Sequence, residues 1–502
     1  MKLTALALFA GLALGTFIPQ TVLDNARPAQ HDCLDRDSSS LNDTVGILNF
    51  VDPSILYENT DDPTKKHWSG YLTTTSHKGI FFWLQKSQKN PKTDPILVYL
   101  NGGPGASSMY GMMIQWGSRT VPYGVDGLMP NTNNLNERAN VIYIDNPLGV
   151  GFSQPSRAGE VGTVEQSTAD LIEFLLALRG TDFKGEKFAD QALHVFGASF
   201  AGHYVSALAL AVASADKATR DKLKLTSIIL GNPALDDLQA EDGVYQMICE
   251  KSLTVSPYWL LSDAECKTWR EESVPRCRAA ILACRAKVSE CTGQKVTVDG
   301  CSASSPFNYW QKRGLDPYDL SEKRAWEAGR KENLKWADLW LNKFVGQIGA
   351  EGTWAMFQPK VRDAFRASGA AYQDSSVRLA KLLSLEGNTI KVLAFAGDLD
   401  LMTPFLSLKK IIRGLHWPRQ QEVLAQLDRP ETSYLPLETT DLKKTFGNFI
   451  EVGPLKYARI YGAGHMGNEK RGAEVKEMIY KFIGALPIGK LDNDKLDNDW
   501  DL

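Results

Sequence analysis

The sequence predicts an α/β fold, a mostly parallel central sheet with a cysteine-rich cap insertion, on three observations. Short, nearly continuous apolar runs recur along the chain, as strands buried on both faces require. Stretches of helical period lie between them, and strand–helix alternation of this kind builds parallel sheets. Between about residues 236 and 385 the alternation stops, and six of the seven cysteines gather there. A chain of 502 residues fits one large domain with an insertion, and it buries enough surface to fold without a metal or a disulfide.

In chain order, Met1-Lys2, the apolar run Leu3 to Leu14 and the small residues Ala13 and Gly15 predict a signal peptide over residues 1–15. A membrane span needs about twenty apolar residues, whereas this run breaks at Thr16 and meets Pro19 and Gln20. No later stretch is apolar for long enough, so no membrane partner is expected. Secretion gives meaning to the N-glycosylation sequon that starts at Asn42. The α/β domain is expected over residues 16–488. Ile80–Leu84, Pro95–Leu100 and Asn140–Ile144 read as its first strands; Leu193–Phe196, Ser227–Leu230, Lys391–Ala396 and Tyr457–Tyr461 follow. Thr163 and Gln166 predict a capping box that opens a helix ending at Gly180, with Leu171, Phe174, Leu175 and Leu178 on one face. A second helix, Ala201 to about Ala215, follows the Leu193 strand directly. Residues 489–502 carry a repeated Lys-Leu-Asp-Asn-Asp and are expected to form an acidic, disordered tail.

The clustered cysteines are Cys249, Cys266, Cys277, Cys284, Cys291 and Cys301, separated by 16, 10, 6, 6 and 9 residues. Without a closely spaced pair no metal site is expected, and disulfides formed in an oxidising compartment are. Six cysteines allow about fifteen pairings, and spacing does not choose among them. Cys33 is the odd one out.

The chemistry is expected where strands end. Leu193–Phe196 runs into Gly197-Ala198-Ser199-Phe200-Ala201, and a serine on a sharp strand-to-helix turn is pushed out of the sheet. Its hydroxyl is a weak nucleophile that needs an imidazole, itself oriented by a carboxylate. In α/β-hydrolase order the acid comes next and the histidine last. Asp398 and Asp400 follow the strand ending at Ala396, and His465 follows the one ending at Tyr461. His416 lies in a turn with no strand before it, so His465 is the expected base. Asp400, three residues beyond Gly397, is the expected carboxylate, leaving Asp398 to stabilise its loop. Asn101-Gly102-Gly103-Pro104-Gly105 follows the Pro95 strand, and tandem glycines there bring backbone N–H groups near a reacting oxygen. The amides of Gly103 and Phe200 are the expected oxyanion donors. No dinucleotide or phosphate-loop pattern is present, and no cofactor is expected.

These motifs resemble the serine carboxypeptidase family of α/β hydrolases, which includes carboxypeptidase Y and cathepsin A. The resemblance runs from about Trp68 to Ile483, through Leu100–Ser108, Asp145–Ser153, the Ser199 turn, Gly231-Asn232 and Gly462–Met466. It implies Ser199, Asp400 and His465 as the triad, the cysteine-rich block as the family's insertion, and substrate contacts at Tyr99, Asn101, Gln115 and Met466. It also implies that a substrate's free carboxylate is held by one Trp, one Asn and two Glu sharing a proton. Here those positions are Tyr99, Asn101, Gln115 and Ala198, so both carboxyls are missing. Losing one charged-group hydrogen bond costs roughly 1.5–3 kcal/mol, about 10- to 100-fold in discrimination for a free terminus. A cysteine position of the family is Ala106, and the residues after Gly-His-Met are Gly467-Asn468.

The composition agrees with an enzyme in solution. Hydrophobic residues at 43% and charged residues at 23% exclude wholesale disorder. Fifty-six basic against 59 acidic side chains give a net charge of −3, without the basic excess of a nucleic-acid binder. The expected activity is release of C-terminal residues from peptides through an acyl-enzyme on Ser199. An esterase or acyltransferase acting on a small acyl substrate is the alternative, and an inactive binding protein a second one. Oligomeric state is not legible.

Overall fold

Eleven strands line up in one sheet. In chain order they are β1 (Ile47–Val51), β2 (His67–Thr73), β3 (Lys78–Gln85), β4 (Ile96–Leu100), β5 (Asn140–Ile144), β6 (Leu193–Ala198), β7 (Leu225–Gly231), β8 (Lys391–Gly397), β9 (Leu435–Glu438), β10 (Thr445–Val452) and β11 (Leu455–Ile460). Their spatial order is β1-β2-β3-β5-β4-β6-β7-β8-β11-β10-β9. The six from β5 to β11 in that order are mutually parallel. Antiparallel strands flank them on both sides. The computed structural model describes residues 47–57, 67–73, 78–121, 127–154, 161–250, 261–291, 315–323, 325–440 and 443–486. The expected signal peptide, Cys33, the Asn42 sequon, Cys301 and the tail over 489–502 lie outside the described residues.

Alternation along each strand assigns side chains to two cores. Ile96, Val98 and Leu100 of β4 belong to one, with Leu171 and Phe174 of helix α1 (Val164–Gly180) and Tyr204 and Leu208 of α2 (Ala201–Ser214). Leu97 and Tyr99 belong to the other, with residues of α4 (Ala325–Lys343) and of α5 (Asn468–Ile483), among them Leu341, Val475 and Ile479. Each fully buried side chain of this size contributes about 1.5–3 kcal/mol relative to an exposed one. A mostly parallel sheet covered on both faces is the α/β layer architecture that the alternating pattern predicts.

The seven expected strands form, each within two or three residues of its expected ends. Four flanking strands, β1, β2, β9 and β10, are additional to the sequence reading. Helix α1 starts after Thr163 and ends at Gly180 as expected, and differs only in one arm of its cap. Thr163 Oγ1 accepts from Gln166 N at 3.1 Å, but the Gln166 carboxamide oxygen reaches back to Gly162 N rather than to the Thr163 amide. At the other end Thr181 is the C-cap, its amide donating to the Leu178 carbonyl.

Between β7 and β8 the chain leaves the sheet as helices, including α3 (Asp237–Cys249) and the segments Asp263–Thr268 and Val274–Ala286. Disulfides join Cys249 to Cys266 and Cys284 to Cys291, and Cys277 is disulfide-bonded as well. Arg285 fastens these helices to the loops beside the sheet, donating to an Asp236 carboxylate oxygen and to the Tyr372 carbonyl, each at 2.6 Å. Asp237 and Asp374 share this neighbourhood, and burial pushes their carboxyls up to about 7 and about 6. A short hairpin, Leu315–Asp316 with Asp319–Lys323, returns toward the sheet. Among the described residues no helix is long and apolar enough to cross a membrane, and no cluster of metal-ligating side chains occurs.

Candidate active site

The parallel strands all end on the same side, and their following loops meet there. Ser199 sits at the turn between β6 and α2 with φ of 58°, a left-handed conformation that costs a non-glycine residue energy and lifts the side chain clear of the sheet. Its main chain is held on both sides. The Ser199 amide donates to the Gly231 carbonyl at 3.0 Å, and its carbonyl accepts from Gly202 and Ala234, each also at 3.0 Å.

Gly102, at the end of β4, lies against this turn so closely that a Cβ would stand 2.5 Å from Phe200 N. Only hydrogen fits there, which fixes why the loop is glycine at that position. The approach sets the β4 loop beside the serine. Among the described residues neither the Gly103 amide nor the Phe200 amide donates a hydrogen bond. Two unused N–H groups next to a serine are suited to a developing negative oxygen.

The carboxylate and the imidazole arrive from the next strands. Asp400, on the loop after β8, is fully buried. It accepts from His465 Nδ1 at 2.7 Å, Thr403 Oγ1 at 2.7 Å and Met402 N at 2.7 Å, and from Thr403 N at 3.2 Å. Three bonds besides the imidazole satisfy this carboxylate as an anion, so it holds the histidine without needing its proton. With Nδ1 turned to Asp400, the other ring nitrogen of His465 turns to the cavity that Ser199 also lines. No hydrogen bond joins the Ser199 hydroxyl to His465; such contacts are commonly long in an empty site and tighten with substrate. Asp398, two residues earlier, does something else. It accepts from the Gly462 amide at 2.8 Å and pairs with Arg459 at 3.1 Å, tying the aspartate loop to the histidine loop. Burial raises its carboxyl above the ordinary range, and the Arg459 charge works against that rise.

Two further residues were not assigned a role from sequence. The Asn232 carboxamide oxygen accepts from Gly397 N at 2.8 Å, and its NH2 donates to the carbonyls of Gly464, at 3.0 Å, and His465. One amide thus clips the ends of β7, β8 and β11 together. Its φ of 43° is unusual for a side-chain-bearing residue and tolerable for asparagine. Thr403 Oγ1 lies 2.8 Å from the Asn232 carbonyl and 3.2 Å from His465 Nδ1, in addition to its contact with Asp400. The pattern Gly-Asn directly after a strand was the available signal for Asn232; Thr403 left none. The hairpin of the insertion also reaches the site, since Tyr318 accepts the His465 amide at 2.6 Å and sets its ring 5.2 Å from the imidazole.

The cavity between these loops measures about 130 Å³ and is mostly apolar. Trp116, Phe196, Phe357 and Phe395 are among its walls, with Met356 from the insertion. Tyr99, Asn101, Gln115, Ala198 and Met466 also line it. The Tyr99 hydroxyl lies 2.9 Å from both Asn101 Oδ1 and Gln115 Oε1, and Gln115 Nε2 lies 3.3 Å from the Met466 sulfur. The structure therefore brings together the residues expected to cleave and those expected to contact substrate.

The serine carboxypeptidase family model matches residues 57–485. The chain is 28% identical over 453 residues to carboxypeptidase Y homolog A of Penicillium rubens, covering 87% of this chain and 76% of that protein. It is 29% identical over 420 residues to carboxypeptidase Y homolog A of Sclerotinia sclerotiorum, covering 81% and 71%. Among solved structures, the prohormone-processing carboxypeptidase Kex1(delta)p from Saccharomyces cerevisiae superposes with a TM-score of 0.61 at 18% identity, over 85% of this chain and 93% of that one. At that identity the likeness is one of fold.

Proposed function

The chain belongs to the serine carboxypeptidase family and is a carboxypeptidase-like serine hydrolase, and from that premise we propose how its own residues cleave a substrate. Ser199 Oγ attacks the scissile carbonyl carbon while the cavity-facing nitrogen of His465 takes the hydroxyl proton. Asp400 keeps the imidazole in the tautomer that makes this possible and stabilises the imidazolium that forms. The Gly103 and Phe200 amides receive the oxyanion. The imidazolium then protonates the leaving amine, the C–N bond breaks, and water activated by His465 frees the acyl group from Ser199. The observation that carries this reading is the 2.7 Å bond between Asp400 and His465 Nδ1, which aims the imidazole into the cavity beside Ser199.

The substrate is a peptide shortened from its C-terminus, one residue at a time. A second reading, hydrolysis or transfer of a small acyl group, is favoured by Gln115 and Ala198 standing where the family resemblance implies carboxyls. We further infer that the protein travels the secretory route, to the exterior or to a vacuole-like compartment; the leader-like Met1–Gly15 and the disulfides support this. The test of the mechanism is labelling by a fluorophosphonate together with mass analysis of peptide digests. Stoichiometric labelling abolished by Ser199→Ala, with stepwise loss of C-terminal residues, is expected. Cleavage within the peptide, or turnover that survives Ser199→Ala, overturns it.

A further inference from the structure

The chemistry proposed for Ser199 needs the Gly103 N–H aimed at one place, and a glycine holds no conformation by itself. Its direction is set one peptide unit earlier. The Gly102 carbonyl and the Gly103 N–H share one planar trans peptide, so they point in opposite directions. That carbonyl accepts from the Ala106 amide at 3.2 Å. Whatever fixes Ala106 and the residues after it therefore fixes the oxyanion donor. Main-chain pairing braces the loop from one side, with Ser107 N on the Met356 carbonyl at 2.9 Å and Gln358 N on the Gly105 carbonyl at 2.8 Å.

From the other side comes Asp145, the residue after β5, which is fully buried. Its Oδ1 accepts from the Ser107 hydroxyl at 2.5 Å and the Ser108 amide at 2.9 Å, with Met109 N at 3.5 Å. Its Oδ2 accepts from the Phe152 amide at 2.9 Å. The Ser107 hydroxyl is not free to turn away. Trp354 Nε1, at 2.8 Å, and Met109 N, at 3.1 Å, can only donate to it, so its own proton goes to Asp145. Ser108 passes the constraint on, because its Oγ accepts from the Asn101 amide at 3.0 Å. Both ends of the stretch 101–108 are thus referred to one carboxylate. The close approach is built in: a Cβ on Gly151 would stand 2.1 Å from Asp145 Oδ2 and 2.7 Å from Ser107 Oγ.

Among the described residues every group placed on the two oxygens is a donor, an arrangement that suits an anion. Burial nevertheless pushes the carboxyl up to about 6, so the fold keeps this charge at a cost. Resting on the hydrolase mechanism above, we propose that Asp145 is the positioning residue of the oxyanion site. As a carboxylate it locks Ala106–Ser108, and through them the Gly102–Gly103 peptide, so that the Gly103 N–H meets the transition state without reorganisation. Asp145 touches no reacting atom. Its effect therefore belongs to transition-state binding and not to ground-state binding. Asn101 keeps its side-chain contact with the Tyr99 hydroxyl at 2.9 Å whatever happens behind it.

The experiment compares the wild type with Asp145→Asn and Ser107→Ala at about pH 7.5, where the Asp145 carboxyl is ionised. Asparagine keeps the shape and sets its NH2 against donors; alanine removes a single donor from the carboxylate. Kinetics use an N-blocked dipeptide. Binding uses an N-blocked phenylalaninal beside the matching alcohol. Ser199 Oγ adds to the aldehyde carbon, the carbonyl electron pair moves onto oxygen, and the hydroxyl proton goes to His465; the alcohol has no carbonyl to attack. End-point fluorophosphonate labelling counts competent sites, so a poorly folded fraction is not read as slow catalysis. Per labelled site, Asp145→Asn is expected to lower kcat about 100-fold and Ser107→Ala about tenfold, with KM within about threefold. The aldehyde loses affinity by the same factor as kcat/KM, and the alcohol loses none. If Asp145→Asn does not fold, Ser107→Ala decides by the same measures. If the wild type labels without cleaving the dipeptide, the labelling rate replaces kcat, because the phosphonyl oxygen enters the same site. Rates within about threefold of wild type in a folded variant, or equal losses for aldehyde and alcohol, overturn the proposal and leave the hydrolase reading standing. A wild type that takes no fluorophosphonate removes both.

Discussion

Asp398 and Asp400 lie two residues apart on one loop, and their surroundings give them different tasks. Asp400 gathers three hydrogen bonds besides the imidazole, whereas Asp398 joins a backbone amide to a guanidinium. Under the proposed mechanism Asp400→Asn leaves the fold intact and lowers kcat by about ten-thousand-fold, because the amide favours the wrong imidazole tautomer. Asp398→Asn lowers kcat less than tenfold and instead costs about 1–3 kcal/mol of stability, measured by urea unfolding. Equal kinetic loss in the two variants counts against the assignment. Asn232 is the third residue whose environment decides its role. Asn232→Ala frees three loop ends at once, and a displacement of about 1 Å in the imidazole costs about 100-fold in kcat. Its KM should change little, since the residue touches the carriers of the catalytic groups and only borders the cavity. These side chains differed in how far sequence alone exposed them. Ser199, Asp400 and His465 are legible because each follows an apolar strand in a fixed order. Asn232 acts through backbone atoms more than 160 positions away in sequence, and Thr403 joins that distant residue to Asp400 and His465; no local pattern encodes such a set of partners.

At the scale of elements, what was legible followed burial. β4, β5, β6, β7 and β8 are apolar along nearly their whole length because helices cover both faces, and such runs stand out. The flanking strands leave no comparable trace. β9 carries Pro436 at the sheet edge, β2 holds Gly70 at its centre, and β10 mixes Gly447, Asn448 and Glu451 with its apolar residues. The insertion was visible only as a loss of rhythm and a gathering of cysteines, since its cysteine pairings depend on the folded path. The Cys284–Cys291 link closes a small loop, so replacing both cysteines with alanine is expected to cost about 2 kcal/mol. The loss should appear in chemical unfolding while fluorophosphonate labelling of Ser199 stays intact, because the triad loops are held by Asn232 and Asp398 and not by this link. Loss of labelling at full folding shows instead that the insertion positions the site.

The whole molecule holds several carboxyls whose charge it disfavours. Burial pushes Asp145 and Asp374 up to about 6, and Asp170 and Asp237 up to about 7. A carboxyl raised in the folded state binds its proton more tightly there than in the unfolded chain. Its contribution to stability is therefore full below the unfolded value near 4 and is lost as pH rises through the folded value. His194 and His203 run the other way: burial lowers both to about 3, so their contribution fades as pH falls below the ordinary imidazole value of about 6.5. The carboxyls at about 7 begin to act before the imidazoles do, and the acids outnumber them. The thermal midpoint is expected to be higher at about pH 5.5 than at about pH 7.5, and a calorimetric scan showing the reverse order removes this account. The division of labour among the sheet's loops bears, finally, on descent. Side chains proposed to break the bond hang from the ends of β6, β8 and β11, while those expected to contact substrate, Met466 apart, hang from β4 and the helical segment after it. From β4 the bond-breaking step borrows only the main chain of Gly103, which is indifferent to side-chain change. After a gene duplication, one copy can accumulate replacements in the substrate-contacting set and acquire a new diet while natural selection keeps its hydrolytic core unaltered.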